Sequence, residues 1–257
     1  MMGWLGPEEW QAVLLSLKVS FWATLLSVPF GLLCAMALAR GRFVGREVLN
    51  WVVHLPLVLP PVVTGYLLLL SFGRRGPIGS FLDTTFGITL AFQWTGAALA
   101  AAIMAFPLMV RAMRLAIEAV DPKLEEAAAT LGASRARVFS TVTLPLILPG
   151  VIAGSVLAFA KAMGEFGATI TFVSNIPGET RTVPAAIYAF LQVPGGEDAA
   201  MRLVLVAIFI AIGALILSEW LSRRVARRIA GKWPCQYALN ATLALSSCVP
   251  RSRRLRV

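Results

Sequence analysis

Asp121-Pro-Lys-Leu-Glu-Glu-Ala-Ala-Ala-Thr-Leu-Gly132 is a polar island between two long apolar stretches, and it runs on to Leu144-Pro145. Aspartate is a favoured N-cap, and proline is favoured at the first helical position. Leu124, Ala127, Ala128 and Leu131 then recur at i, i+3, i+4 and i+7, which is one face of a helix. Gly132 ends that helix, because glycine enters the left-handed cap conformation at little cost. Ser134 predicts the cap of a second short helix through Phe139. An ordered helix with a low alanine face, stranded in a loop, predicts a soluble partner that docks closely on it. Glu125 and Glu126 project charge beside that face.

Outward from the island the chain reads as membrane. Of its 257 residues 58% are hydrophobic and 14% charged, too apolar for an ordinary soluble domain. A helix crosses a bilayer with about 20 predominantly apolar residues. Five windows meet that test, at 11–39, 49–72, 88–110, 142–163 and 199–221. Residues 164–198 are too broken by glycine and proline for a sixth. Their short apolar runs, 168–173 and 185–193, predict re-entrant or interfacial pieces.

The net charge of +10 is distributed by side rather than pooled in a patch, so it does not point to nucleic acid. Arg40, Arg42 and Arg46 follow the first span. Arg111, Arg114, Lys123, Arg135 and Arg137 flank or lie in the island, and Arg223, Arg224, Arg227, Arg228 and Lys232 follow the last span. The positive-inside rule therefore places the N-terminus outside and the island and C-terminus in the cytoplasm. Lys18 lies near a span end and can snorkel to the interface. Glu8 and Glu9, with no basic residue in the first ten, are the wrong flank for a cleavable signal peptide. Residues 233–257 lack periodicity and read as a disordered cytoplasmic tail.

Chemistry is sparse. Cys34, Cys235 and Cys248 show no paired spacing and His54 is the single histidine, so no metal site or catalytic set is expected. A G-x-x-x-x-G-K-[ST] phosphate loop is missing, so the chain is not expected to hydrolyse ATP by that machinery. Inside the span 49–72, Pro56, Pro60 and Pro61 remove amide donors. Such breaks survive at membrane depth where protein or a water-filled cavity satisfies the backbone. Pro60, Pro61, Thr64 and Gly65 are therefore candidate pathway residues. His54 either titrates in that pathway or is a hydrogen-bonded structural histidine. Glu165, with Phe166 beside it, is a candidate gate or helix-packing contact, against the alternative of a solvated helix end. Residues 175–182, with a turn at Pro177-Gly178, fit an outer vestibule or a contact for an external solute-binding protein.

Glu126-Ala127-Ala128-x3-Gly132, followed after nine residues by Val142-x-Leu144-Pro145, resembles the EAA loop of ABC importer permeases. The resemblance implies that the island is a coupling helix held in a cleft of a cytoplasmic ATPase, with Leu124, Glu125, Glu126, Ala127, Ala128, Leu131 and Gly132 at or beside the contact. Residues 54–66 and 164–182 resemble the molybdate permease family, and the likeness extends over 9–232 but not over the tail. It implies an all-α polytopic bundle of five transmembrane helices in a bacterial inner membrane, surrounded by membrane lipid. Two copies would enclose the pathway as a homodimer. Two ABC ATPase subunits would consume ATP-Mg, and an extracytoplasmic molybdate-binding protein would deliver the anion, with tungstate as a second ligand. The chain itself would bind no cofactor. A sulfate or thiosulfate permease of the same superfamily is the nearest alternative. A stand-alone secondary transporter or channel, or a membrane scaffold, belongs to other classes and would need no ATP.

Overall fold

The computed structural model describes residues 4–230, and every regular element among them is helical. In chain order the helices are α1 (Pro7–Arg40), α2 (Arg46–Val58), α3 (Pro61–Phe72), α4 (Pro77–Phe86), α5 (Trp94–Glu118), α6 (Pro122–Thr130), α7 (Arg135–Val138), α8 (Leu144–Met163), α9 (Gly167–Val173), α10 (Val183–Leu191) and α11 (Glu197–Ala230). A π-helical turn, Phe139–Thr143, joins α7 to α8.

The centre of the bundle is α5. Ala97, Ala100, Ala101, Ala105, Met109, Val110 and Met113 on it are buried, with α1 and α8 packed against it. In lipid, apolar side chains gain nothing by leaving the solvent, so helices associate through close packing of small residues. Gly150 and Gly154 of α8 supply this against Ala112 and Ala116 of α5. A Cβ on Gly150 would lie 2.2 Å from the Ala116 methyl, and one on Gly154 would lie 3.1 Å from that of Ala112. At the other extreme α11 is peripheral, its large apolar side chains turned outward as a lipid-facing helix requires.

Polar ties fix the two ends. At the outer end Glu9 is 2% exposed and receives the Arg202 guanidinium, Nη2 to Oε1 at 2.6 Å. Glu8 pairs with Arg181 at 3.3 Å, and the Val183 amide donates to Ser16 Oγ at 2.7 Å. At the inner end Arg40 donates to Val120 O at 3.0 Å and Ile117 O at 3.4 Å, while Arg46 donates to Leu38 O at 2.9 Å. Arginines thus satisfy carbonyls left over at helix C-termini, where positive charge is favoured. The Lys18 ammonium sits 3.7 Å from the Trp94 ring centroid, so the start of α5 lies toward the outer end of α1. Since α1 and α5 both end inside, the chain must recross between them.

That crossing departs from expectation. Residues 49–72 do not form one span. They fold as α2 and α3, bent by 114°. Leu59 precedes Pro60 and Pro61, and a residue before proline is pushed out of the helical region. Its φ of −71° and ψ of 143° are extended. Pro56 by contrast is absorbed within α2. Among the described residues four helices are each long and apolar enough to cross a bilayer, and the bent pair taken as one broken span brings the number to five.

Other boundaries also moved. The span placed at 88–110 begins at Trp94 and continues to Glu118, because residues 88–93 turn, with Phe92 at φ 61°. The stretch between the expected spans 49–72 and 88–110 contains α4, which Pro77 opens and Gly87 closes at φ 65°. The runs at 168–173 and 185–193 fall in α9 and α10, helices of 7 and 9 residues. At about 1.5 Å per residue neither crosses a core of about 30 Å. The proposed tail at 233–257, with Cys235 and Cys248, lies outside the described residues, as do 231 and 232.

Candidate functional site

The island folds locally as its caps dictate. Asp121 Oδ1 accepts from the Lys123 amide at 2.9 Å, Pro122 opens α6, and Gly132 has φ 83°. No residue of α6 is buried. Leu124 and Ala128 are half-buried, whereas Ala127 and Glu126 are exposed. Leu131 lies just past the helix and is 89% exposed, an apolar side chain displayed to water.

The second island helix does not end at Phe139 but runs on into the span, one helical stretch over Arg135–Met163. Ser134 Oγ accepts from the Arg137 amide at 3.4 Å, and after Val138 α7 passes into the π turn. There the Leu144 amide reaches back to Phe139 O, and Pro145 has no amide to donate, so the chain accommodates one extra residue per turn.

The two glutamates differ. Glu125 faces the bundle: Thr143 Oγ1 donates to its Oε1 at 2.8 Å, and Arg40 Nη2 lies 3.6 Å away. Glu126 makes no ion pair among the described residues. Sequence reading missed Arg40 and Thr143. They lie 85 and 18 positions from Glu125, and no local spacing signals the meeting.

The second locus is the crossing of α3 with α9. A Cβ on Gly65 would lie 2.5 Å from Ala168 O, and one on Gly167 would lie 2.7 Å from Pro61 Cβ. The two short helices therefore touch backbone to backbone. Thr64 and Gly65 are buried at this crossing, while Pro60 and Pro61 remain exposed. Thr64 Oγ1 has no hydrogen-bond partner among the described residues. His54 stands apart on α2, where Nδ1 contacts Asn50 O at 2.8 Å one turn back.

Glu165 is not a solvated helix end. It is 2% exposed, its Oε2 is 2.7 Å from Lys161 Nζ, and its Oε1 accepts from the Ala168 amide at 3.1 Å. One carboxylate so closes α8 and opens α9, because α9 folds back over it. The Lys161 partner was legible as an i,i+4 neighbour. Phe166 stacks at a tilt on Tyr188 of α10, ring centroids 5.2 Å apart. In the outer loop, Arg181 Nε donates to Asn175 Oδ1 at 3.1 Å and Gly178 turns at φ 79°. Glu165→Ala removes the cap and leaves Lys161 unpaired. A loss of about 1–3 kcal/mol is expected, read as a lower Tm in detergent. Glu165→Gln keeps an acceptor and should lose less, and an unchanged Tm for the alanine variant would refute the capping role.

A bent crossing, an exposed capped helix beyond the end of α5 and an all-helical bundle define a polytopic membrane component. The chain belongs to the family described as binding-protein-dependent transport system inner membrane component, whose profile matches residues 27–231. It is thus a multi-pass inner-membrane permease component of an ABC-type importer. It is 64% identical over 228 residues to the molybdenum transport system permease protein ModB of Escherichia coli strain K12, covering 89% of this chain and 99% of that protein. It is 55% identical over 221 residues to ModB of Haemophilus influenzae, covering 86% and 96%. Against the sulfate transport system permease protein CysT of Salmonella typhimurium the identity is 36% over 226 residues, covering 88% and 81%. Its fold is similar to a chain of a bacterial ABC transporter involved in alginate import, with a TM-score of 0.66, 20% identity, and 87% and 80% of the two chains covered. A chain of an amino acid ABC transporter gives a TM-score of 0.61 at 19% identity, with 85% and 94% covered.

Proposed function

We propose that the chain is the permease of an ATP-driven molybdate importer, carrying tungstate as a second ligand. Two copies form the pathway as a homodimer. Each exposes α6 to one cytoplasmic ATPase subunit that uses ATP-Mg, and an extracytoplasmic molybdate-binding protein delivers the anion. The observation that carries the substrate is the contrast between 64% identity to ModB and 36% to CysT over nearly equal lengths. The α3–α9 crossing, with buried Thr64 and Gly65 and with Glu165 and Phe166 beside it, is the candidate gate. Binding and hydrolysis of ATP would shift the dimer between two states through their differential contacts with α6.

Reconstitution with the ATPase and the binding protein tests this. ATP-dependent molybdate uptake, competed by tungstate and poorly by sulfate, is the expected result. Equal competition by sulfate would favour the sulfate-type reading. Uptake without ATP or the ATPase would favour a secondary transporter or channel.

A further inference from the structure

We infer that Glu125 is the positioning residue through which movement of α6 reaches the membrane helices, and that the adjacent Glu126 has no part in this. The inference rests on the reading of α6 as the ATPase-docking helix.

A single carboxylate oxygen is the meeting point. Glu125 Oε1 accepts from Thr143 Oγ1 at 2.8 Å and lies 3.6 Å from Arg40 Nη2. That same Nη2 donates to Val120 O at 3.0 Å and lies 3.4 Å from Ile117 O. Arg40 is the last residue of α1, Ile117 and Val120 lie at the end of α5, and Thr143 immediately precedes α8. One oxygen on α6 therefore meets the start of α8 through Thr143 and the end of α1 through Arg40, which in turn holds the end of α5.

Among the described residues the side-chain bonds from α6 to the bundle are those of Glu125. The helix has no buried residue, and an open groove of about 370 Å³ lies between it and the bundle, with Arg40, Glu125, Glu126 and Thr143 in the wall. Across that groove the Glu125 contacts are the side-chain bonds that reach the bundle, alongside the chain's own continuity from α5 into α6 and on to α7. On the other side Thr143 is buried, 5% exposed, at the end of the π turn. The ion pair is about one-third exposed on the arginine side and so adds little to folding stability. Coupling and folding are then separable by mutation.

The test uses the whole complex in proteoliposomes, with Glu125→Gln, Thr143→Val and Arg40→Gln. Each variant should retain the ATPase at the wild-type ratio and continue to hydrolyse ATP. Molybdate taken up per ATP hydrolysed should fall by about tenfold, within the range of ordinary coupling free energies. The double variant Glu125→Gln/Arg40→Gln should be no worse than the poorer single, because one junction is broken once. Loss of the ATPase from the complex, with uptake and hydrolysis falling in parallel, would overturn the inference by making Glu125 a docking contact. Unchanged uptake per ATP would overturn it too. If the transporter reading itself is wrong, the wild-type complex shows no ATP-dependent uptake before any variant is compared.

Discussion

Replacing Glu126 with lysine should strip the ATPase from the purified complex and abolish ATP-dependent uptake, while the permease still inserts and folds. Glu126 is exposed on α6 and makes no ion pair among the described residues, so no ion pair there is lost with its charge. A partner cleft that receives this carboxylate must instead accept an ammonium, which leaves its own cation unpaired. Losing one side of a desolvated charge pair costs about 2–5 kcal/mol, or an affinity loss of about 30-fold to more than 1,000-fold. Glu126→Gln, which keeps shape and loses only charge, should retain partial association. The measurement is the ATPase-to-permease ratio after affinity purification, with uptake in vesicles alongside. Wild-type association of the lysine variant would remove Glu126 from the interface.

Gly65→Leu should be as damaging, by a different route. A Cβ there meets Ala168 O at 2.5 Å, and Ala168 Cα and Thr171 Cβ each at 2.9 Å. Two of these obstacles are backbone atoms, which cannot rotate away, so α9 must move bodily. Overpacking of this kind costs about 1–3 kcal/mol and more where backbone must shift. Displaced α9 would also disturb the Glu165 cap at its start. Uptake should fall to background, with a lowered Tm in detergent. Gly213→Leu is the control, because a Cβ at Gly213 meets nothing within 4 Å. Full uptake by the Gly65 variant would show that the α3–α9 contact is dispensable.

What the sequence disclosed follows the range of the interactions involved. The island helix was legible to within a residue or two because its start and stop are local: Asp121-Pro122 caps one end and Gly132 turns the other. The broken crossing was half legible. Pro60 and Pro61 announce that a helix stops, but a bend of 114° is set by how α3 then packs on α9, more than a hundred residues later. The start of α5 was misplaced because residues 88–92 are as apolar as the helix that follows, and hydropathy does not record the turn at Phe92. The helix α4 was overlooked although Pro77 and Gly87 stand at the expected ends of one. For Glu165 the sequence offered a gate or packing contact against a solvated end, and its burial at 2% exposure excludes the solvated end.

The acid–base ties at the outer end acquire a further meaning from the length of α1. Its 34 residues extend about 51 Å at about 1.5 Å each, well beyond the membrane core. Glu8 and Glu9 fasten one end, near Arg181 and Arg202, and Arg40 occupies the other. The helix is therefore clamped at both ends, by carboxylates at the outer surface and by a guanidinium at the inner one. A chain segment held this way spans the whole thickness of the layer as a single strut.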